Sequence, residues 1–215
     1  MKKYQKLCFI LLLITSININ AESQKSNDSK FYVSVGLANV EVDLGIGSTS
    51  LYTVDGKDSA PMVMIGYKIG DNLALEGGMV GSIDTSITTT SSITGTYLGK
   101  TLTIGSGLKI TAAANESWLF GGAYKAPVTD KLSLNARAGL LYWDVDYKVS
   151  GTATYNGVSY AANATILSED GSDAYFGIGG EYEISDRLSA EFTYFDTEVN
   201  GDDVDSYNIA LVTRF

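Results

Sequence analysis

From Ala174 to Tyr194 the chain alternates twice around a tight turn. On the first arm Phe176, Ile178, Tyr182 and Ile184 share one parity, against Tyr175, Gly177, Gly179, Glu181 and Glu183 on the other. On the second arm Leu188, Ala190, Phe192 and Tyr194 stand against Ser189, Glu191 and Thr193. A period of two puts each set on one face of a pleated strand. One face is therefore apolar and aromatic, the other small, glycine-rich and charged. In a water-soluble sheet the apolar face would be core, whereas in a membrane barrel it is the outside.

The turn recurs, and this decides between the two. Ile184, Ser185, Asp186, Arg187 and Leu188 are matched by Ile69, Gly70, Asp71, Asn72 and Leu73 and by Val128, Thr129, Asp130, Lys131 and Leu132. The aspartates lie 59 and 56 residues apart. Short turns at one end of the strands and longer connections at the other are the pattern of a bacterial outer-membrane barrel.

The remaining strands follow from the same alternation. The first starts with Phe31, Val33, Val35 and Leu37 opposite Tyr32, Ser34, Gly36 and Ala38; the apolar parity then moves to Val40 and Val42, which predicts a β-bulge near Ala38. Residues 45–59 read as a long loop, and 61–69 as a strand with Val63, Ile65 and Tyr67 opposite Met62, Met64, Gly66 and Lys68. After Leu73, Leu75, Met79 and Ile83 share the outer face against Glu76, Gly78 and Val80. The Ser- and Thr-rich stretch 84–116 predicts one long hairpin with Gly99 at the first turn position. It returns through Trp118, Phe120 and Tyr124 opposite Leu119, Gly121, Ala123 and Lys125. The fifth strand sets Leu132, Leu134, Leu140 and Tyr142 outward and Asn135, Arg137, Gly139, Leu141 and Trp143 inward. Asn156 and Gly157 mark a type I′ turn to the sixth strand, and Asn200 and Gly201 join the seventh to the eighth. The expectation is an all-β fold, an eight-stranded antiparallel up-and-down transmembrane barrel over residues 31–215, with short periplasmic turns and long extracellular hairpins.

The amino terminus points to the same compartment. Lys2, Lys3 and Lys6 precede an apolar run over 7–14, and Ala21 ends an acceptable cleavage site, so residues 1–21 read as a secretory signal peptide and 22–30 as a polar periplasmic linker. The one cysteine, Cys8, lies in the signal, which leaves no disulfide or thiolate site. Losing three lysines from a chain with 15 basic and 25 acidic residues leaves a net charge of −13, unsuited to nucleic acid.

Charges test the face assignment. Lys68, Lys125, Arg137 and Arg214 fall on the inner face, and so do Glu76, Glu181, Glu183 and Glu191. A mid-depth Arg or Lys facing lipid would cost roughly 2–4 kcal/mol, so this segregation is what a bilayer demands. The balance predicts a structural salt-bridge network filling the lumen, with Arg137 paired to Glu76 or Glu181. On the outer face Phe31, Tyr67, Tyr124, Tyr182 and Phe215 sit near the periplasmic ends and Trp118, Tyr142, Phe176, Tyr194 and Tyr207 near the outer ends, as two interfacial rings.

With its signal peptide, repeated Asp-containing turn, inward acids and terminal Phe215, the chain resembles the small eight-stranded barrels typified by the OmpA membrane domain and OmpX. The last strand, with Tyr207, Ile209, Leu211 and Phe215 on one face, resembles the signal by which the assembly machinery recognises such proteins. The resemblance implies an adhesive, protective or structural role. An end at Phe215 carries the expectation that OmpA's periplasmic peptidoglycan-binding domain is absent.

Three functions follow as expectations. Histidine is absent, so the base of known barrel hydrolases is missing and an enzyme is not expected. A small channel or transporter of hydrophobic molecules is the alternative, opposed by the crowded, charge-paired lumen. The favoured reading is a surface protein whose barrel anchors a raised sheet with two exposed edges, ligands being met by 88–107 and 151–162. The contact residues there are Tyr97, Gly99, Lys100, Tyr155, Asn156, Gly157 and Tyr160. The acidic runs 169–173 and 202–205 read as solvated loops without an EF-hand arrangement. No cofactor or metal is expected. The expected partners of this monomer are outer-membrane lipid and lipopolysaccharide, the assembly machinery, and an extracellular ligand or host surface.

Overall fold

In the computed structural model, which describes residues 29–215, thirteen strands form one antiparallel sheet. The expected signal peptide and all but the end of the 22–30 linker lie outside the described residues. The strands are β1 (Phe31–Val42), β2 (Tyr52–Asp55), β3 (Lys57–Lys68), β4 (Leu73–Val80), β5 (Ile83–Thr89), β6 (Ile93–Tyr97) and β7 (Lys100–Ile104), followed by β8 (Lys109–Ala114), β9 (Ser117–Pro127), β10 (Leu132–Tyr155), β11 (Val158–Ser185), β12 (Leu188–Val199) and β13 (Asp202–Arg214). Eight of them close on themselves in the order β1, β3, β4, β9, β10, β11, β12, β13, with β13 paired back to β1. Closure removes the sheet edges, which a bilayer requires because lipid offers no hydrogen bonds.

Period-two alternation becomes two surfaces. Ile178 is 65% exposed on the outside while Tyr175, three residues earlier on the other parity, is 1% exposed inside. Ile65, Leu75, Phe120, Leu134, Ile209 and Leu211 continue the outer apolar band. Aromatic rings pair along it, Phe31 with Tyr67 at 4.9 Å and Tyr194 with Tyr207 at 5.3 Å between centroids. At the periplasmic end each repeated turn is hydrogen-bonded: Ile69 N–H donates to the Leu73 carbonyl, and the Thr129 hydroxyl accepts from the Leu132 N–H.

The structure corrects the sequence reading in several places. No bulge interrupts β1, which keeps continuous register with β13 and β3 from Tyr32 to Glu41. Val40 is buried inside with Ala38, because the lumen itself becomes apolar at that height. The 45–59 segment is not all loop: β2 lies within it, and β3 begins at Lys57. The long hairpin is three hairpin segments, β4 with β9, β5 with β8, and β6 with β7. The interruption at Gly81 and Ser82 adds a residue to the alternation, so Ile83 packs against the interior core rather than facing lipid. At the tip Gly99 takes the second turn position. Leu98 (φ 50°) precedes it at φ 75°, the same left-handed pair as Asn156–Gly157 and Asn200–Gly201.

Above the bilayer β10 and β11 stay paired up to Tyr155 and Val158. β8 and then β7 line the other side of β10, so the hairpin tips stand in one raised sheet. One of the two expected open edges is covered in its lower part, where β2 pairs with β5 from Tyr52 to Asp55, while β6 above it pairs only with β7. The other stays open: β12 pairs with β11 only from Tyr175 onward.

This orientation predicts labelling. In a Cys8→Ser background, Thr96→Cys should react with an impermeant maleimide on intact cells, and Asp130→Cys only after the outer membrane is permeabilised. Equal reaction of both on intact cells would overturn the assignment.

Candidate functional site

The periplasmic half of the lumen is ionic. Arg137 of β10 is 6% exposed, and four of its five donor hydrogens are used. Nε and Nη2 donate to the Glu76 carboxylate at 2.8 and 3.1 Å, Nη2 to Glu191 at 2.8 Å and Nη1 to the Thr193 hydroxyl at 2.8 Å. Two carboxylates against one guanidinium leave an excess negative charge, which neutral donors offset. The Tyr32 hydroxyl donates to Glu76 at 2.5 Å and the Asn135 amide to Glu191 at 3.2 Å. Glu181 stands apart from Arg137 and pairs with Arg214 and with Lys125, whose Nζ lies 2.8 Å away.

The division of acids has a cause. Glu181 and Glu191 are cross-strand partners, and like charges opposite one another destabilise a sheet unless each finds its own cation. Arg137 therefore takes Glu191 with Glu76, while Glu181 takes the two cations nearer the periplasm. Lys68 joins Lys125 and Arg214 around a cavity of about 50 Å³ beneath this layer. Glu183 is half-buried, two residues along β11 from Glu181.

The large side chains fit because their neighbours are small. Gly66 lies between Tyr32 and Glu76 across three strands, and a Cβ there would overlap the Tyr32 ring that reaches Glu76. Gly177 faces Arg137 across the β10–β11 ladder, and a Cβ there would press on the Phe195 ring. Tyr32, Asn135 and Thr193 are the members of this layer that charge alone does not reveal. Their inward parity was the available signal.

The outer half of the lumen is apolar. Ala38, Val40, Met62, Leu119, Leu141, Trp143, Val145 and Phe195 form a buried cluster above the ions, with Tyr175 and Met64 at its lower side. Trp143 donates its indole N–H to Asp173 at 2.6 Å. Asp173 thus belongs to β11 and the 202–205 run to β13, so the two acidic segments are strand rather than loop. Among the described residues no group of His, Cys, Asp and Glu side chains is arranged to hold a metal.

At the top, the two tips meet. Leu102 of β7 is opposite Tyr155 of β10, and Lys100 Nζ lies 5.9 Å from the Tyr155 ring centroid. Tyr97 and Tyr160 are exposed, while Gly99, Asn156 and Gly157 form the turns. In the final strand Tyr207, Ile209, Leu211 and Phe215 are all exposed on the outer wall.

A closed eight-stranded cylinder with an apolar exterior and charges confined within matches a known group of proteins. The model of the outer membrane protein β-barrel domain family covers residues 9–215. The chain belongs to that family. It is accordingly a protein of the outer membrane of Gram-negative bacteria. No curated protein matches it in sequence. Among solved structures, Ail, the attachment invasion locus protein of Yersinia pestis, is similar at a TM-score of 0.51 and 12% identity, over 87% of this chain and 99% of that one. OprG of Pseudomonas aeruginosa gives 0.51 and 12% over 87% and 96%. Neisserial surface protein A gives 0.50 and 14% over 86% and 97%. At these identities the likeness is one of fold.

Because Arg137 is surrounded by carboxylates, its removal should cost about 3–5 kcal/mol, the usual penalty for stranding buried charge. Arg137→Ala should lower the urea unfolding midpoint clearly, and adding Glu76→Gln should recover part of the loss. An unchanged midpoint for Arg137→Ala would show that the network does not hold the barrel.

Proposed function

We propose that the protein is a non-enzymatic surface protein whose barrel anchors a raised sheet for adhesion or another interaction outside the cell. The observation that carries this is the open edge of β11. Residues 158–168 have no ladder partner on the side away from β10 and contain no charged residue and no proline. Natural sheets blunt exposed edges with such residues, and an unblunted edge is a template for a strand from another chain. The short guard strand β2 on the opposite side underlines the difference. Lower on the same strand the sheet is braced. The Ser168 hydroxyl donates to Asp146 at 2.6 Å, and that bond, with Lys148 nearby, holds the exposed Asp146 carboxyl below its usual pKa.

The exposed tip side chains Tyr97, Lys100 and Tyr160, with the half-buried Tyr155, supply aromatic and hydrogen-bonding contact beside that edge. In this reading residues 1–21 direct export, the β13 face with Phe215 is the assembly signal, and the barrel works as a monomer in lipopolysaccharide. The ionic layer around Arg137 argues against the channel alternative, because it fills the lumen across its width.

In the two-residue turn geometry Tyr155 and Val158 bond to each other, so the N–H groups of Ser159, Ala161 and Asn163 point to the open side. Ala161→Pro should remove one outward donor and spare the β10 ladder. Cells displaying this variant, or one with both tips cut to Gly-Ser turns, should lose attachment to host-cell monolayers or abiotic surfaces while the barrel keeps its heat-modifiable gel mobility. Full attachment by both would reject the proposal.

A further inference from the structure

The outer half of the lumen does not look like simple filling. A cavity of about 110 Å³ lies inside the barrel above the ionic layer. Its floor is Met62, Leu119 and Tyr175, all nearly inaccessible, and its wall includes Trp143 and Phe195. Toward the extracellular end the rim is formed by Val42, Val80, Ile83, Val199 and Val204, which are only partly buried although they face inward. Where a lumen meets water, polar residues are the inexpensive choice. A ring of partly exposed aliphatic side chains there forgoes about 25 cal/mol for every Å² of apolar surface left wet.

We infer that this cup is a binding site for a small uncharged apolar molecule, either a single aromatic ring or a hydrocarbon of about six carbons, taken up from the extracellular side. Size sets the limit, since an apolar protein cavity of about 150 Å³ accepts benzene and this one is comparable and has an accessible rim. Charge sets the class: Asp202 is the sole charged residue among those lining it, so no cation stands ready for an anionic headgroup. The Trp143 N–H is already bonded to Asp173, and the unpartnered polar atom of the floor, the Tyr175 hydroxyl, is a neutral group. Beneath the floor the Arg137 layer closes the lumen, and the molecule is captured rather than conducted.

The two tryptophans make the test direct. Trp118 is 50% exposed on the outer wall and Trp143 lines the cup, so Trp118→Phe leaves a single reporter at the site. In lipid nanodiscs, bromobenzene should quench Trp143 of that protein along a saturable curve. Ala114→Phe or Val204→Phe, which fill the cup from different strands, should abolish the saturable component, with folding checked by gel mobility. In Trp143→Phe protein, Trp118 should show only quenching that rises linearly as the probe partitions into lipid. Nanodiscs of brominated-acyl phospholipid should quench Trp118 and leave Trp143 bright. Linear quenching of Trp143, saturable quenching that survives both fillings, or quenching of Trp143 by brominated lipid chains would each overturn the inference. If neither filled variant assembles, saturability of the Trp118→Phe curve decides.

Discussion

Eight strands enclose a lumen only as wide as the side chains that fill it, and that limit organises the molecule. A guanidinium can stand at the centre only if the residues around it are small. Arg137 is therefore flanked by Ala123 and Gly177 on the neighbouring strands. Tyr32 lies across Gly66, and Tyr175 stands against the Gly121–Gly139 pair. Large and small alternate around the cylinder as well as along each strand. The guanidinium, on β10, then touches Glu76 of β4 and Glu191 and Thr193 of β12, tying together positions far apart in the chain.

The same narrowness separates two environments. Near the periplasm the lumen is an ion layer in which the buried acids Glu76, Glu181 and Glu191 each meet a cation. Near the cell exterior it is aliphatic and aromatic. The apolar exterior of the barrel is imposed by lipid, but nothing about the bilayer requires an apolar interior at the outer end. That half is where the chain departs from what a membrane anchor alone needs.

Above the membrane the constraint is relaxed, and the strands diverge. β10 and β11 continue as a pair, β4 and β9 give way to β5 and β8 through a two-residue break, and the 45–59 segment supplies a short strand to one edge. The other edge is left uncovered at 158–168, which makes the raised sheet asymmetric. The chain shares its fold with Ail, OprG and neisserial surface protein A, and this upper region is where small barrels have room to differ.

Period-two alternation and a thrice-repeated turn were enough by themselves to determine the eight barrel strands, their inward and outward faces and the confinement of charge, because each is a local property of a strand in a bilayer. Tertiary structure alone decided the rest. Whether Glu181 or Glu191 meets Arg137 depends on which strands become neighbours. Alternation by itself reads the parity change at Val40 as a bulge, because it reports that a face turns apolar, not whether the chain has shifted or its surroundings have changed. At Ile83 the converse holds, since a true interruption at Gly81 and Ser82 leaves little trace in a Ser- and Thr-rich stretch. The pairing of β2 with β5 joins segments some thirty residues apart with no strong hydrophobic signal, and only the closed cylinder beneath brings them to the same edge.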